Sequence, residues 1–210
     1  MDKIVIIGGG GHAKVIISIL KKIDGYDICG YVDIIDKGMI LGIPYLGDDS
    51  VLLGLFEDKK VNNAAIGVGY TNSPVLRMTL IEMALRLGFS FPMIVSPTAI
   101  INEDVVLGDG TVVMDGVVIN SGTRIDKFVI VNTRSSVDHD CEIDDYAHIG
   151  PGVILCGGVT VGKNVLVGAG AVLNQGISVS EDSIIGAGAV VTEDFNDAGT
   201  YVGIPARRIR

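Results

Sequence analysis

A chain of 210 residues has room for one large domain or two small ones. Its hydrophobic fraction of 48% is high, yet no apolar run approaches the ~20 residues of a membrane span, because Gly, Asp and Asn interrupt each one. A net charge of −9 argues against general nucleic-acid binding, which needs a basic surface. An anionic ligand would have to be held locally, by backbone N–H groups and a few cations.

The first residues carry one lysine and an apolar run too short for a signal peptide, so a cytoplasmic protein is expected. Lys3–Ile7 reads as a buried strand. Four glycines, Gly8 to Gly11, follow with His12 and Ala13, and then an apolar-periodic helix runs to about Leu20. Strand, glycine turn and helix in the pattern G-x-G-x-x-A is the phosphate-binding arrangement, with a helix N-terminus facing an anion. The plain alternative is a glycine turn that only lets helix and strand pack closely. A second strand, about Ile28–Val32, ends at Asp33, where an acidic residue reaches a ribose hydroxyl in dinucleotide enzymes. Gly42–Gly47 reads as a turn-rich loop, Ser50–Phe56 as a short helix, Ala64–Val68 as a third strand and Asn72–Leu87 as an amphipathic helix. Residues 1–92 thus form a small α/β, Rossmann-like unit. It is too short for a full dinucleotide fold, and no second substrate domain follows, so a dehydrogenase is a weak reading.

From Val95 a new rule takes over. Stepping six residues at a time from Val95 through Ile101, Leu107 and onward to Ile185 and Val191 meets seventeen consecutive aliphatic residues. Four residues after each anchor from Ile101 on stands a small or β-branched residue, such as Thr111, Ser135, Cys141 or Ala189. The residue just after the anchor is mostly Gly, Asn or Asp, types suited to tight corners with positive φ. A period of six fits no α-helix. It is a short strand and a corner, three of which close a triangular coil of 18 residues. Alternation along each strand points the anchor and the small residue two before it to the same side, into a narrow prism. The period spans residues 93–196 and fails at Asp197, leaving 197–210 as a tail that ends in Arg207, Arg208 and Arg210. That basic cluster is either a solvated end or a clamp on an anionic coenzyme.

Three histidines exist, His12, His139 and His148. His139 lies two residues past the anchor Val137, so it leaves a corner and not the core. Asp138 and Asp140 flank it and can orient one ring nitrogen while making the other more basic, which marks His139 as a general-base candidate. His148 directly precedes Ile149 and is expected to point outward, as a surface or subunit-contact histidine. Gly157 and Gly158 fall one coil beyond His139, where bare backbone admits a ligand and its N–H groups can hold a developing oxyanion. Cys29, Cys141 and Cys156 have no metal-ligand spacing and read as free thiols. Cys141 could in principle accept an acyl group, but it occupies an inward position of the repeat.

The hexapeptide repeat, with Gly203–Arg207 reading Gly-Ile-Pro-Ala-Arg after it, resembles the left-handed parallel β-helix of the hexapeptide acyltransferases. With the N-terminal unit, the resemblance is to bacterial sugar O- and N-acetyltransferases. It implies an α/β nucleotide-sugar-binding domain followed by an all-β left-handed β-helix, with acetyl-CoA as co-substrate and no metal. It implies Gly8, Gly10, Gly11, His12 and Asp33 as nucleotide-sugar contacts, His12 matching the histidine of the family's Gly-Gly-x-Gly-His motif. It implies His139 as the catalytic base and Asp140 as its acidic partner, where many relatives have Glu. Coenzyme contacts would come from His148, whose counterpart hydrogen-bonds the thioester carbonyl, and from Gly157, Gly158, Ala169 and Arg207. It also implies a homotrimer. The expected reaction is direct acetylation of the amine of a nucleotide-linked 4-amino-4,6-dideoxy sugar. O-acetylation of a sialic-acid-type sugar is the near alternative, and a non-catalytic nucleotide-sugar-binding scaffold is the alternative of another class.

Overall fold

The computed structural model describes residues 1–57, 60–70 and 73–210, in two compact units, Met1–Ile94 and Val95–Arg210. In the first unit β1 (Asp2–Ile7), α1 (Gly11–Leu20), β2 (Tyr26–Val32), β3 (Tyr45–Gly47), α2 (Leu52–Glu57), β4 (Asn63–Ile66) and α3 (Val75–Arg86) follow in order. The sheet is parallel, in the order β3-β2-β1-β4. Ile4 to Ile7 are all buried, as expected where both faces of a central parallel strand are covered. The strand order turns back at β1, so the crevice beyond the carboxyl ends of β1 and β4 is the place where such sheets bind ligands.

Two sequence expectations need correction here. The segment expected as a turn-rich loop holds β3, which pairs with the end of β2 through Tyr31 and Tyr45. Gly30 permits this, because Leu46 packs where its side chain would be. The third strand stops at Ile66, and residues 67–70 form a loop instead. Arg77 of α3 holds that loop: it is 2% exposed and donates to the Val68 carbonyl at 2.7 Å. Burial pushes its guanidinium down to about 10, still protonated at neutral pH. The expected start of α3 at Asn72 lies outside the described residues.

The second unit is a left-handed parallel β-helix of two-residue strands. Each strand pairs with the one a coil later: Ser136–Val137 lies against Ile154–Leu155 and His148–Ile149 against Leu166–Val167. The prism has three faces, carrying Ser136–Val137, Glu142–Ile143 and His148–Ile149 respectively. Anchors such as Val137, Ile149 and Leu155 and small residues such as Ser135, Cys141 and Val153 are 0–1% exposed. Burying each anchor stabilises the fold by about 1.5–3 kcal/mol.

The corners lie elsewhere than expected. Left-handed backbone occurs three residues after the anchor, at Gly110, Gly122, Asp140 and Gly158 among others, not directly after it. The position after the anchor instead faces the neighbouring coil. At Gly108 a Cβ would lie 2.6 Å from the carbonyl carbon of Asp126, so close coil stacking demands glycine there. Where Asn or Asp stands at that position, side chains bond from coil to coil, as Asn102 does to Asn120 at 2.8 Å. The non-glycine corners Phe128 and Tyr146 stack on each other, with ring centroids 5.5 Å apart. After Val191 the expected tail forms an antiparallel pair, Thr200–Gly203 with Ala206–Arg208, and its first strand extends the His148 face beside Ile184–Ile185. Phe195 and Tyr201 stack within the same core and stand at its C-terminal end.

Candidate active site

His139 leaves the corner that follows Ser136–Val137, next to Asp140 in the left-handed conformation. The turn at Asp140 swings its carboxylate back onto the preceding ring, so that Oδ2 lies 2.8 Å from His139 Nδ1. A carboxylate only accepts hydrogen bonds, so Nδ1 carries the proton and Nε2 presents a lone pair. The Asp140 hydrogen bond and then the nearby charge of Asp138 hold His139 above the ordinary histidine range. Asp138 accepts from the Asn120 amide at 2.9 Å and from the His139 N–H at 2.8 Å, and these bonds hold its carboxyl below the usual range. The ring lies over Gly157 of the next coil: a Cβ there would be 2.6 Å from Nε2. The side chain is 53% exposed, and its basic nitrogen is set against bare backbone.

Cys141 turns inward with 0% exposure, and burial pushes its thiol pKa up. Its Sγ donates toward the Cys156 carbonyl at 3.3 Å. A thiol kept protonated inside the prism is no acyl acceptor. Of the two glycine N–H groups expected to face a ligand, that of Gly158 already donates to the His139 carbonyl at 2.9 Å.

His148 corrects an expectation. It is on a different face from His139 and points away from the prism axis, but it is only 8% exposed and so is no plain surface histidine. Its Nε2 is 3.2 Å from Asn132 Nδ2, and the Thr133 N–H donates to Asn132 Oδ1 at 2.8 Å. Thr133 thus orients the amide so that its NH₂ faces the imidazole, making Nε2 the acceptor and placing the proton of the neutral ring on Nδ1. Along the corner that follows the His148 face, Gly152, Gly170 and Gly188 repeat in the left-handed conformation, and a Cβ on any of them would meet nothing within 4 Å. With the exposed Ala169 and Ala187, they make a ridge bare of side chains. Arg207 pairs with Glu193 at 2.9 Å, both side chains being 60% exposed, and Arg208 donates to the carbonyls of Ala198 and Arg210.

In the first unit, Gly9, Gly10 and Gly11 line a cleft of about 440 Å³ together with Lys14, Lys37 and Met39 to Leu41. Gly8 needs φ +101, and a Cβ on it would meet Val68. Gly10 precedes α1 in an extended conformation, and no side chain caps that helix. Asp33 braces the turn: Oδ2 accepts from the Gly9 N–H at 2.7 Å and from Lys37 at 3.0 Å. Burial opposes its ionisation, but these bonds and the Ile35 N–H outweigh it and hold the carboxyl below its ordinary value. His12 lies against Gly69 of the loop after β4. Sequence reasoning missed Lys14 and Lys37 as lining residues, and it read Asn102 and Asn120 only as corner residues. The successive 18-residue steps from Asn102 to Asn120 to Asp138 were the available signal. Among the described residues no group of three or more His, Cys, Asp or Glu is placed to hold a metal ion, and no helix is long and apolar enough to cross a membrane.

Residues 3–83 match the PglD N-terminal domain. Residues 140–175 match the bacterial transferase hexapeptide (six repeats), and 158–193 the hexapeptide repeat of succinyl-transferase. GDP-perosamine N-acetyltransferase of Escherichia coli O157:H7 is 30% identical over 147 residues, 70% of this chain but only 56% of that protein. A histidine-to-asparagine mutant of perosamine N-acetyltransferase from Caulobacter crescentus, solved with CoA and GDP-perosamine, is 37% identical with a TM-score of 0.93, covering 100% of this chain and 98% of that one. The acetyltransferase domain of PglB from Neisseria gonorrhoeae, solved with acetyl coenzyme A, is 32% identical with a TM-score of 0.88, covering 99% and 98%.

Proposed function

The chain belongs to the hexapeptide-repeat family of nucleotide-sugar N-acetyltransferases with a PglD-type N-terminal unit, and from that premise we propose that it acetylates the amine of a nucleotide-linked amino sugar, using acetyl-CoA. The observation that carries this reading is the His139 ring, fixed through Nδ1 by Asp140 with Nε2 set over Gly157. Acetyl-CoA supplies the thioester whose carbonyl the amine attacks, with CoA as the leaving group. His139 Nε2 takes the proton that the amine loses. The Gly157 N–H and the His148 of a neighbouring copy are the donors proposed for the charge on oxygen. The bare ridge of Ala169 and Gly170 takes the coenzyme arm, and Arg207, once drawn from Glu193, meets its phosphates. In the first unit Lys14, Lys37 and the N-terminus of α1 hold the diphosphate, Asp33 keeps the glycine turn in shape, and His12 stands at its edge. An acidic protein binds an anion this way because the positive groups are local. Relatives that act on GDP-perosamine make that sugar the first acceptor to try and favour an amine over the hydroxyl of a sialic acid. The test is thiol release from acetyl-CoA with GDP-, UDP- and dTDP-linked amino sugars beside free sialic acid. Release with none of the amino sugars would sink the proposal.

Gly10→Val should raise the KM of the nucleotide sugar far more than that of acetyl-CoA. A side chain at Gly10 meets no protein atom within 4 Å, so the fold should survive while the cleft is obstructed. Equal effects on both substrates would mean that the turn is only structural.

The complete site is built between copies of the chain in a homotrimer. His139 and His148 leave different faces of one prism, so they cannot share one small substrate within a chain. Outward positions on the His139 face are apolar at Ile100, Val118, Ile154 and Val172, and Ile100 and Ile154 are 56% and 46% exposed, a strip that suits a second copy. A heterologous contact around a threefold axis brings the His139 face of one prism to the His148 face of the next. Co-expressing His139→Ala with His148→Ala should then restore activity, because about a quarter of interfaces in random mixed trimers carry both intact histidines. Verified mixed trimers as inactive as either folded parent would dismiss the shared site.

A further inference from the structure

Three polar residues, Asn102, Asn120 and Asp138, stand one coil apart in the position directly after the anchors Ile101, Ile119 and Val137. Asn102 Nδ2 donates to Asn120 Oδ1 at 2.8 Å, and Asn120 Nδ2 donates to Asp138 Oδ1 at 2.9 Å. The same Oδ1 accepts the N–H of His139 at 2.8 Å. The column therefore ends on the backbone of the residue assigned as the base. Its polarity does not depend on how the amides are assigned: an ionised carboxylate has no proton to give, so Asn120 must turn its NH₂ to Asp138 and its oxygen to Asn102. All three residues are half-buried, so these bonds are partly shielded from water and hold one rotamer of each side chain.

We infer that Asn120 is a positioning residue for His139, acting through Asp138, with Asn102 orienting Asn120 from one coil further away. The inference rests on the reading of His139 as the base. Asp140 grips the ring at Nδ1, and Asp138 grips the backbone that carries the ring. Without the Asn120 amide, the Asp138 carboxylate loses one of its two donors and is free to change rotamer, leaving the His139 N–H unheld. The ring would then rest on Asp140 alone. Of the titratable groups around the ring, Asp138 and Asp140 lie on its own coil, and the Cys141 thiol turns inward to carbonyl groups. The coil before presents Asn120 and Gly122, which do not titrate, and the coil after presents Gly157 and the half-buried thiol of Cys156, which stands one coil beyond Asp138 in the same column.

The test is Asn120→Leu, which keeps the branched side-chain skeleton and removes the amide. The expected result is a fall in kcat on the order of tenfold, with the KM of both substrates and the melting temperature as in the parent. In parallel, the His139 pKa read by NMR in the ligand-free protein should move down toward the ordinary histidine value, because the Asp138 charge is no longer held beside it. Asn102→Leu should show the same changes in weaker form. A kcat within about twofold of the parent, or a His139 titration identical to the parent's, overturns the inference. The NMR titration keeps this result separate from the mechanism: an active His139→Ala protein would remove His139 as base, while the titration would still show whether Asn120 reaches it through Asp138.

Discussion

His139→Ala should lower kcat by about 10²–10⁴-fold, the usual cost of losing a general base. The fold and acetyl-CoA binding should survive, because the ring leaves a corner and fills no part of the prism core, where Val137 and Cys141 do the packing. The parent enzyme should also show the sign of a base held above its ordinary pKa. His139 must be neutral to accept a proton, so kcat/KM should rise with pH through that raised value and fall away below it. The His139→Ala protein should lose this limb together with its rate. Turnover within a few-fold of the parent, or an unchanged acid limb, would take His139 out of the mechanism.

Gly157→Ala should cost nearly as much, although it adds one carbon and removes no functional group. The new Cβ would stand 2.6 Å from His139 Nε2 and 2.7 Å from Cε1. Real Cβ atoms do not come so close, so the ring must tilt away from its place, and a displacement of about 1 Å in a reacting group can cost on the order of 10²-fold. Gly157 has ordinary backbone torsions, so the variant should fold and melt like the parent. The informative comparison is Gly170→Ala, one of the left-handed glycines with open space around it. Backbone strain should lower its melting temperature while leaving His139 in place. If Gly157→Ala keeps full kcat, the ring does not work from the position it holds here.

Much of this fold is legible because a period of six is a long-range statement written locally. Each coil is made of neighbouring residues, so the positions of Val137, Ile143 and Ile149 on three faces follow from counting, as does the departure of His139 from a corner. The same holds for the glycine turn at Gly8–Gly11, since strand, turn and helix are contiguous. Counting fails where the partner is decided by stacking. The residue after each anchor looked like the corner, because Gly, Asn and Asp are common corner types. In the structure the corner falls two residues later, and the earlier position is selected by what the neighbouring coil leaves room for, glycine against backbone or an amide against an amide.

The sequence by itself determined the repeat, the division into an α/β unit with a glycine turn and a prism, and the departure of His139 from a corner between two carboxylates. These are properties of spacing and residue type. The tertiary structure alone decided that Tyr45–Gly47 is a strand, since its partner in β2 lies at Tyr31 and Val32, and that the chain after Val191 returns to the sheet. It alone enclosed His148 and tied it to Asn132, made Asp33 a brace for the glycine turn, and set the His139 ring over Gly157. Each of these depends on the approach of side chains far apart in the chain or on a coil's neighbour, and distance across a fold is not written in any one stretch of residues.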